Sequence, residues 1–389
     1  MVTKDYRAYE TEADLTEKKM INNTDFNVKT AEKIPMQKAS VFRATKTRQF
    51  AHHPFICKFK DNFIAMFSSG KIHEDDLGQR VALSYSKDFL NWTEPVFLEV
   101  TGKKDSVDTA CGMYVFNDKL YLYVGTFFYD RNHVKENGER VFEDKGHTDT
   151  RLYVIESSDG VTFSEPVFTG LKMVPNMPPK RLKNGKTVIC GNFLFAVNDE
   201  FKNEPNNWKT ESFCADLTTD DSESFYRASE KAGLNTVVCE SDLFEKDDET
   251  FVSLFRSQKK EYFGYLYASE SKDLKEWTLP TKTDFTNDTS KFCVGRLANG
   301  KYYYVGNPVV GNGRCPLVMS LSVGGENFTE HYILTDEKPS VKYKGFAKFG
   351  ACAYPYAFED GDYFYVIYSV NKEDVQALRF KTNELNGNK

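Results

Sequence analysis

Short apolar runs recur along most of the chain, and polar turns separate them. Residues 54–59, 63–68 and 80–85 are apolar or alternate between apolar and polar, and the turn at residues 60–62 reads Lys-Asp-Asn. Alternation with a period of two, bounded by Asn, Asp and Gly, predicts strands joined by hairpins. Four such strands make a unit that returns about every 50 residues, which indicates a repeat architecture.

Six of these units follow one another. They cover residues 52–98, 108–168, 173–217, 237–283, 292–334 and 351–380. Four-stranded antiparallel units repeated in a ring are typical of a β-propeller, because the closed ring protects the strand edges. The sequence therefore predicts an all-β fold, a six-bladed β-propeller, with seven blades as the alternative.

The sixth unit is one strand short, whereas residues 38–45 form a lone strand ahead of unit one. A strand from this segment would complete the last blade and close the ring. We therefore expect an N-terminal arm over residues 1–37. A single propeller domain, closed by its own N-terminal strand, would then cover residues 38–389.

A turn of the form Ser-x-Asp-x-x-x-aromatic joins the last two strands of several units. Its copies span residues 86–92, 157–163 and 271–277, with a degenerate copy at residues 322–328. The Asp side chain is suited to accept hydrogen bonds from backbone N–H groups that follow it. The aromatic ring would then pack its apolar face against a neighbouring unit.

Composition narrows the range of partners. The protein has 389 residues, of which 40% are hydrophobic and 28% charged, and its formal net charge is -6. A negative balance argues against a nucleic-acid partner, which needs a basic surface. No apolar run approaches the roughly 20 residues of a membrane-spanning helix, so no membrane association is expected.

The distribution of cysteines indicates the cellular compartment of the protein. All eight are scattered, mostly inside apolar runs, and none forms a Cys-x-x-Cys pair. This pattern favours reduced, packed thiols of a cytosolic protein. Residues 1–5 do not resemble a secretory signal. We therefore expect a cytoplasmic location, with a trimmed secreted or periplasmic form as the alternative.

In a propeller the first strand of each blade lines the central channel, so the starts of the first strands share one face with the loops that follow the second strands. The candidates at strand starts are His52, His53, Asp108, Asn176, Glu240 and Tyr354. The candidates from second-strand ends and the following loops include Asp75, Asp76, Arg256 and Arg314. These groups can serve as acid, base, nucleophile or anion clamp, and the Asp turns lie on the opposite face.

Most of these candidates also have a purely structural interpretation. His52 and His53 fit a capped strand entry, Tyr354 fits packing, and Arg256 fits an ion pair with Glu240. A carboxylate inside an apolar strand needs a partner or a raised pKa, which favours a functional role for Glu240. Asp75 and Asp76 also fit a solvated loop, and Arg314 fits a surface turn. No histidine pair has the spacing of zinc ligands, so neither a metal nor a cofactor is expected.

Together these features resemble the sialidase (neuraminidase) superfamily, whose Asp-box motif has the form of the Ser-x-Asp turns. The resemblance covers residues 38–380. It implies that Glu240 and Arg256 match the family's strand-opening Glu and the Arg that follows it. Arg314 matches a second clamp Arg, and Tyr354 matches the nucleophilic Tyr of the last blade. The family's acid Asp lies in the middle loop of the first blade, where Asp75 and Asp76 lie.

Two departures change what the resemblance implies. The family's first clamp Arg, in Arg-Ile-Pro, is replaced by His52-His53-Pro54, and Pro355 follows Tyr354. Losing one Arg from a three-Arg clamp removes a charge-assisted contact worth roughly 1.5–3 kcal/mol, which argues against sialic acid itself. A histidine at this position also resembles propeller enzymes that act next to uronic acids. The turns resemble those of five-bladed furanosidases too, but six units argue against that class.

The expected function is that of an exo-acting glycoside hydrolase on a terminal acidic (sialic or uronic) or neighbouring sugar of an oligosaccharide. Glu240 and Tyr354 would form the base–nucleophile pair, and His53 or Asp76 would donate the proton. The expected substrate contacts are His52, Asp75, Asp108, Arg256 and Arg314. The alternatives are a uronate-directed polysaccharide lyase or rhamnosyl-glucuronate hydrolase with a His-centred mechanism, and a non-catalytic carbohydrate-binding propeller.

Overall fold

The computed structural model contains six antiparallel sheets arranged in a ring, which confirms the six-bladed β-propeller. It describes residues 21–103, 105–129, 132, 134–139, 141, 147–192, 194–213, 238–257, 263–278, 280–345 and 348–386. Two strands precede the first blade, β1 (Glu32–Lys33) and β2 (Gln37–Phe42).

The first three blades follow in chain order. Blade one contains β3 (Phe50–Phe59), β4 (Asn62–Gly70), β5 (Arg80–Ser86) and β6 (Val96–Phe97). Blade two contains β7 (Ser106–Phe116), β8 (Lys119–Tyr129), β9 (His147–Ser157) and β10 (Val167–Phe168). Blade three contains β11 (Lys180–Arg181), β12 (Thr187–Cys190), β13 (Leu194–Asn198) and β14 (Lys209–Ser212).

The last three blades complete the ring. Blade four contains β15 (Val238–Glu245), β16 (Phe251–Ser257), β17 (Gly264–Ser271) and β18 (Thr281–Asn287). Blade five contains β19 (Cys293–Arg296), β20 (Tyr302–Gly306), β21 (Leu317–Ser322) and β22 (Glu330–Thr335). Blade six contains β23 (Ala353–Asp360), β24 (Tyr363–Val370) and β25 (Asp374–Lys381), and a 3-10 helix (Thr382–Asn386) follows it.

Strand β2 supplies the fourth strand of blade six. It pairs antiparallel with β25, so the sheet order is β2-β25-β24-β23. Val41 and Phe42 of β2 are buried, and the Phe42 ring lies 5.2 Å from that of Phe67 in blade one. The strand therefore packs at the junction between the first and the last blade.

The chain ahead of β2 lies against blades four and five. Strand β1 pairs in parallel with β22. Ile21 is buried in the apolar core of these two blades. Asn22 Nδ2 donates to Asn327 Oδ1, and Asn23 Oδ1 accepts from the Thr286 backbone N–H. The described part of the expected N-terminal arm is thus packed on the propeller, whereas residues 1–20 lie outside the described residues.

The Ser-x-Asp turns share one hydrogen-bond pattern. Asp88 Oδ1 accepts from the backbone N–H groups of Leu90 at 2.9 Å and Asn91 at 2.8 Å. The carboxylates of Asp159 and Asp273 accept the equivalent pairs. The residue after each Asp, or its counterpart in the degenerate copy, has a positive φ in Phe89 (73°), Gly160 (80°), Leu274 (68°) and Gly325 (79°). The turns are therefore one local structure repeated in four blades.

The aromatic residue that ends each turn packs against the preceding blade. The Trp277 ring of blade four lies 4.9 Å from that of Phe213, which follows β14. The Phe328 ring of blade five lies 5.2 Å from that of Phe285 in β18. Each turn thus stabilises a contact between two blades as well as its own hairpin.

We predict that Asp88→Ala lowers the melting temperature by a few degrees at pH 7, because two backbone N–H groups lose their acceptor. Hydrogen bonds from the Asn91 backbone and side chain hold the pKa of the Asp88 carboxyl well below its usual range. A depressed folded pKa adds stability above the unfolded pKa, and this stability is lost as the pH falls through the folded value. The difference between the parent and the variant should therefore shrink below about pH 4.

Asp61→Ala, in the exposed turn between β3 and β4, is the matched control and should leave the melting temperature unchanged. Turnover should survive Asp88→Ala, because the Ser-x-Asp turns lie at the opposite strand ends from the cavity described below. A folded Asp88→Ala protein that has lost most of its turnover would contradict this placement.

The described residues contain neither a disulfide nor a membrane-spanning helix. The seven described cysteines are free thiols, and all except Cys57 are buried. Within the described residues, no helix has the length and apolar character needed to cross a bilayer.

Candidate functional site

A cavity of about 260 Å³ lies at the end of the channel where the first strands begin. All six blades contribute to its wall. The polar lining residues are His53, Glu74, Asp75, Thr109, Thr150, Asn176, Asn192, Glu240, Lys291 and Tyr354. The convergence of first-strand starts on one pocket, which the repeat pattern predicted, is therefore present in the structure.

Bulges in three first strands aim side chains into this cavity. The register with the second strand shifts around His53 in β3, Glu240 in β15 and Tyr354 in β23. His53 and Tyr354 also adopt positive φ angles of 51° and 57°. A bulge bends a strand and redirects a side chain, and strained backbone of this kind is enriched at functional sites.

Tyr354, Glu240 and Arg256 form one hydrogen-bonded cluster. The Tyr354 hydroxyl donates to Glu240 Oε1 at 2.5 Å and accepts from Arg256 Nη1 at 3.2 Å. Arg256 Nε lies 3.0 Å from Glu240 Oε2. Burial raises the pKa of Tyr354 well above its ordinary value, and the Glu240 charge adds to this while Arg256 opposes it. The phenol is therefore neutral at physiological pH, with a carboxylate placed to take its proton.

The two arginines lie behind the cavity wall, where Arg256 bonds to this cluster and Arg314 lies next to it. Arg256 Nη1 also lies 3.5 Å from the Thr289 carbonyl, and Arg314 Nη2 donates to the same carbonyl at 3.0 Å. The Arg314 guanidinium lies 5.4 Å from the centroid of the Tyr354 ring. Neither arginine is among the residues that line the cavity. Arg256 therefore holds Tyr354 and Glu240 in place, whereas Arg314 lies beside the Tyr354 ring and its Nη1 has no hydrogen-bond partner among the described residues.

His53 belongs to a second polar group on the cavity wall. Its Nε2 lies 3.3 Å from Glu74 Oε1, and its Nδ1 lies 3.2 Å from the Ser68 hydroxyl. Lys372 Nζ donates to the other oxygen of Glu74 at 2.5 Å. Burial raises the pKa of the Glu74 carboxyl, but Lys372 and His53 outweigh it and hold the pKa well below its usual range. Glu74 is thus an anion that orients the His53 ring.

His52 lies behind the cavity instead of in it. It is fully buried, its Nδ1 lies 2.6 Å from the Ser369 hydroxyl, and its ring lies 4.1 Å from that of Tyr354. Burial and the nearby Lys372 charge lower its pKa well below the ordinary value, so the imidazole is neutral. The structure places His52 as a support for the Tyr354 ring.

The three aspartates expected at the site have different positions. Asp75 lines the cavity. Asp76 is outside its wall and buried, and its Oδ2 accepts from the His73 backbone N–H at 2.9 Å. Asp108 is also outside the wall, and its Oδ1 accepts from the Thr126 hydroxyl at 2.8 Å. Burial raises the pKa of Asp108 to about 6. Only Asp75 is therefore positioned to contact a ligand in the cavity.

Sequence reasoning missed Glu74 and Lys291. Glu74 stands between His73 and Asp75 in the middle loop of blade one, so the sequence identified this loop and Asp75 but not Glu74, which also lines the cavity. Lys291 precedes β19 at the first-strand start of blade five. Every other unit contributed a candidate from this position, and that gap was the signal that could have identified Lys291.

One group of side chains has the donor types of a metal site. Donor atoms of His52, His53 and Glu74 lie within 4.8 Å of one another, and no other such group occurs among the described residues. Lys372, however, already donates to Glu74. A divalent cation would have to displace this ammonium, so the residues present do not favour a metal.

The Ser-x-Asp turns and the ring of blades have counterparts in known proteins. The model of the BNR repeat-like domain matches residues 61–366. The chain belongs to this family. The resemblance of its turns to Asp-box motifs is thereby confirmed, and no curated protein matches the sequence of this BNR repeat-like chain.

Several solved structures share the fold of this BNR repeat-like protein. A protein of unknown function from Dyadobacter fermentans is 14% identical, with 89% of this chain and 98% of that chain covered and a TM-score of 0.59. Trypanosoma rangeli sialidase in complex with sialic acid is 13% identical, with coverages of 92% and 60% and a TM-score of 0.58. Penicillium chrysogenum α-L-arabinanase with arabinobiose is 12% identical, with coverages of 90% and 99% and a TM-score of 0.55. The chain spans only about 60% of the length of the T. rangeli sialidase.

Proposed function

We propose that the protein is an exo-acting glycoside hydrolase that releases a terminal acidic sugar, or the sugar next to it, from an oligosaccharide. The observation that carries the proposal is the hydrogen bond from the Tyr354 hydroxyl to Glu240 on the cavity wall. Similar folds occur in proteins named sialidase and arabinanase, which supports glycosidic cleavage as the reaction class.

The chemistry follows from the protonation states in the cluster. A phenol is a weak nucleophile near neutral pH unless a base removes its proton during attack. The Tyr354 oxygen would bond to the anomeric carbon as its proton passes to Glu240. The bond to the leaving oxygen breaks at the same time, and His53 would protonate that oxygen. Water would then attack the anomeric carbon and give a proton to His53, while the Tyr354 oxygen leaves and takes its proton back from Glu240.

A second mechanism is favoured by the His53–Glu74 pair. Both side chains line the cavity, and Glu74 holds the imidazole from one side. With His53 as base and Tyr354 as acid, the same cavity would support β-elimination at a uronate or a His-centred cleavage next to one. The two mechanisms require different variants to be inactive.

A turnover screen separates these possibilities. Aryl sialosides, glucuronides, arabinofuranosides and rhamnosyl-glucuronides should be tested for release of the aryl group or sugar, with absorbance near 235 nm followed for elimination. We expect release from at least one acidic substrate without a rise in absorbance. A rise would support the lyase mechanism, and binding without turnover of any substrate would support a carbohydrate-binding propeller.

A further inference from the structure

Lys291 is the one lysine or arginine among the residues that line the described cavity. Its side chain is buried, and Nζ donates to the Asn176 carbonyl at 3.0 Å. Nζ also lies 4.5 Å from the centroid of the Phe55 ring and 5.5 Å from that of Tyr354. An ammonium group has three donors. Two donors of Lys291 therefore have no acceptor within the described parts of the chain.

Lys180 differs from Lys291 because its ammonium group has three acceptors. It is partly buried, donates to the Asp242 carboxylate, and also donates to the carbonyls of Leu243 at 3.1 Å and Val294 at 2.6 Å. Burial lowers the pKa of Lys180, but Asp242 outweighs this effect and raises it. Burial lowers the pKa of Lys291 to about 8, and no carboxylate among the described residues forms an ion pair with it.

We propose that Lys291 is the centre of a carboxylate subsite, which binds the acid group of a sugar in the cavity. The proposal rests on the proposed function in taking the ligand to be an acidic sugar, but it does not require that the sugar is cleaved. A buried cation that forms no ion pair is costly, and the nearby charges of Glu240 and Asp242 only partly offset the burial. A ligand carboxylate would supply both a paired charge and two acceptors. Asn176 also lines the cavity, and its Oδ1 has no hydrogen-bond partner among the described residues. It can accept from a hydroxyl of the same sugar.

The arginines are less suited to this role. Arg256 faces Glu240 and Tyr354, and Arg314 donates to the Thr289 carbonyl outside the cavity wall. A carboxylate could reach Arg256 only by displacing groups that the proposed reaction needs. Arg314 Nη1 has no hydrogen-bond partner among the described residues, but Arg314 lies outside the cavity wall. The anion specificity of the site is therefore assigned to Lys291, and Arg256 positions Tyr354 and Glu240.

The first test is binding without turnover. The affinities of D-glucuronate and N-acetylneuraminate, with D-glucose as the neutral reference, should be measured by calorimetry at pH 7. Lys291→Met should weaken binding of at least one acidic sugar by about 10- to 100-fold, the scale of a charge-assisted hydrogen bond, and change glucose binding far less. Lys301→Met, which removes a charge from the turn before β20, is the control and should change neither. The acid that responds identifies the ligand as a uronate or a sialate.

The second test uses the parent protein and does not depend on a variant folding. An anion binds the protonated amine, so acid-sugar affinity should fall as the pH rises through about 8. Binding at pH 8 should also take up a fraction of a proton, measured from the dependence of the binding heat on the buffer. The other groups that face Lys291 are Glu240, Asp242, Cys111, Cys293 and the Tyr354 phenol. Lys291→Met must abolish the proton uptake if Lys291 is its source.

The outcomes separate this subsite from the proposed reaction. Lys291-dependent acid binding without hydrolysis of any glycoside would keep the subsite and reject the hydrolase. Hydrolysis in which Lys291→Met affects acidic and neutral substrates equally would keep the hydrolase and reject the subsite. Unchanged acid binding in Lys291→Met, selective loss in Arg314→Ala, or no acid binding by the parent would each overturn the subsite.

Discussion

Tyr354→Phe should lower kcat by at least about 100-fold while the protein stays folded, because this is the usual scale of nucleophilic and acid–base assistance. The substitution removes one oxygen atom, and with it the donor to Glu240 and the acceptor of Arg256. The ring, which packs against His52, remains in place. The kinetics of an acidic aryl glycoside identified in the screen, together with the melting temperature, would test this expectation.

Glu240→Gln should cost about as much as Tyr354→Phe, and the double variant should be little worse than either, since groups that act as one unit give non-additive losses. Tyr356→Phe, two residues along β23, is the matched control and should retain activity. If Tyr354→Phe is active while His53→Ala is inactive, the Tyr nucleophile is rejected in favour of a His-centred mechanism. If all these variants remain active, the cavity is not the active site.

Deleting residues 1–46 should abolish cooperative unfolding, because it removes the whole of β2 from blade six. The sheet would lose the strand paired with β25, and the junction with blade one would lose Val41 and Phe42. Calorimetric unfolding would measure the effect. A protein that lacks only residues 1–30 loses the buried Ile21 but keeps β1 and β2, so it should still unfold cooperatively at a lower temperature.

Two point variants test the same strand without a truncation. Val41→Asp places a charge in the buried junction, where the free energy of unfolding should fall by several kcal/mol. Ser40→Asp adds the same charge one residue earlier on the exposed face and should change stability little. Equal melting temperatures for the two variants, or a 1–46 deletion that melts like the parent, would show that the ring does not depend on β2.

The blades could be predicted because their signals are local. Alternating strands, Asn- and Gly-containing hairpins and the turn around Asp88 depend on residues close in sequence. The pairing of β2 with the last blade could be predicted by counting the strands in each unit, since the sixth unit lacked one strand. The same counting fixed which strand ends converge, and so placed Glu240 and Tyr354 in one pocket.

The details of the site depend on backbone geometry that the periodicity does not contain. The middle loop of blade one has three consecutive acidic residues, and Asp75 adopts a φ of 63°. This conformation directs Glu74 and Asp75 to the cavity and Asp76 to the His73 N–H. Asp108 was placed by its position at a strand start. The structure instead brings it near Arg80, 3.6 Å away, because the bulge of β7 comes after it.

The cavity draws its side chains from both halves of the ring. His53, Glu74 and Asn176 belong to blades one to three, whereas Glu240, Lys291 and Tyr354 belong to blades four to six. Neither half alone would carry a complete set of reacting and binding groups. Two fragments separated between β14 and β15 should therefore show neither turnover nor ligand binding when each is expressed alone. Both should return only when the fragments reassociate. A cut between β14 and β15 would divide the cavity as well as the ring, so activity would report the reassociation of the two halves.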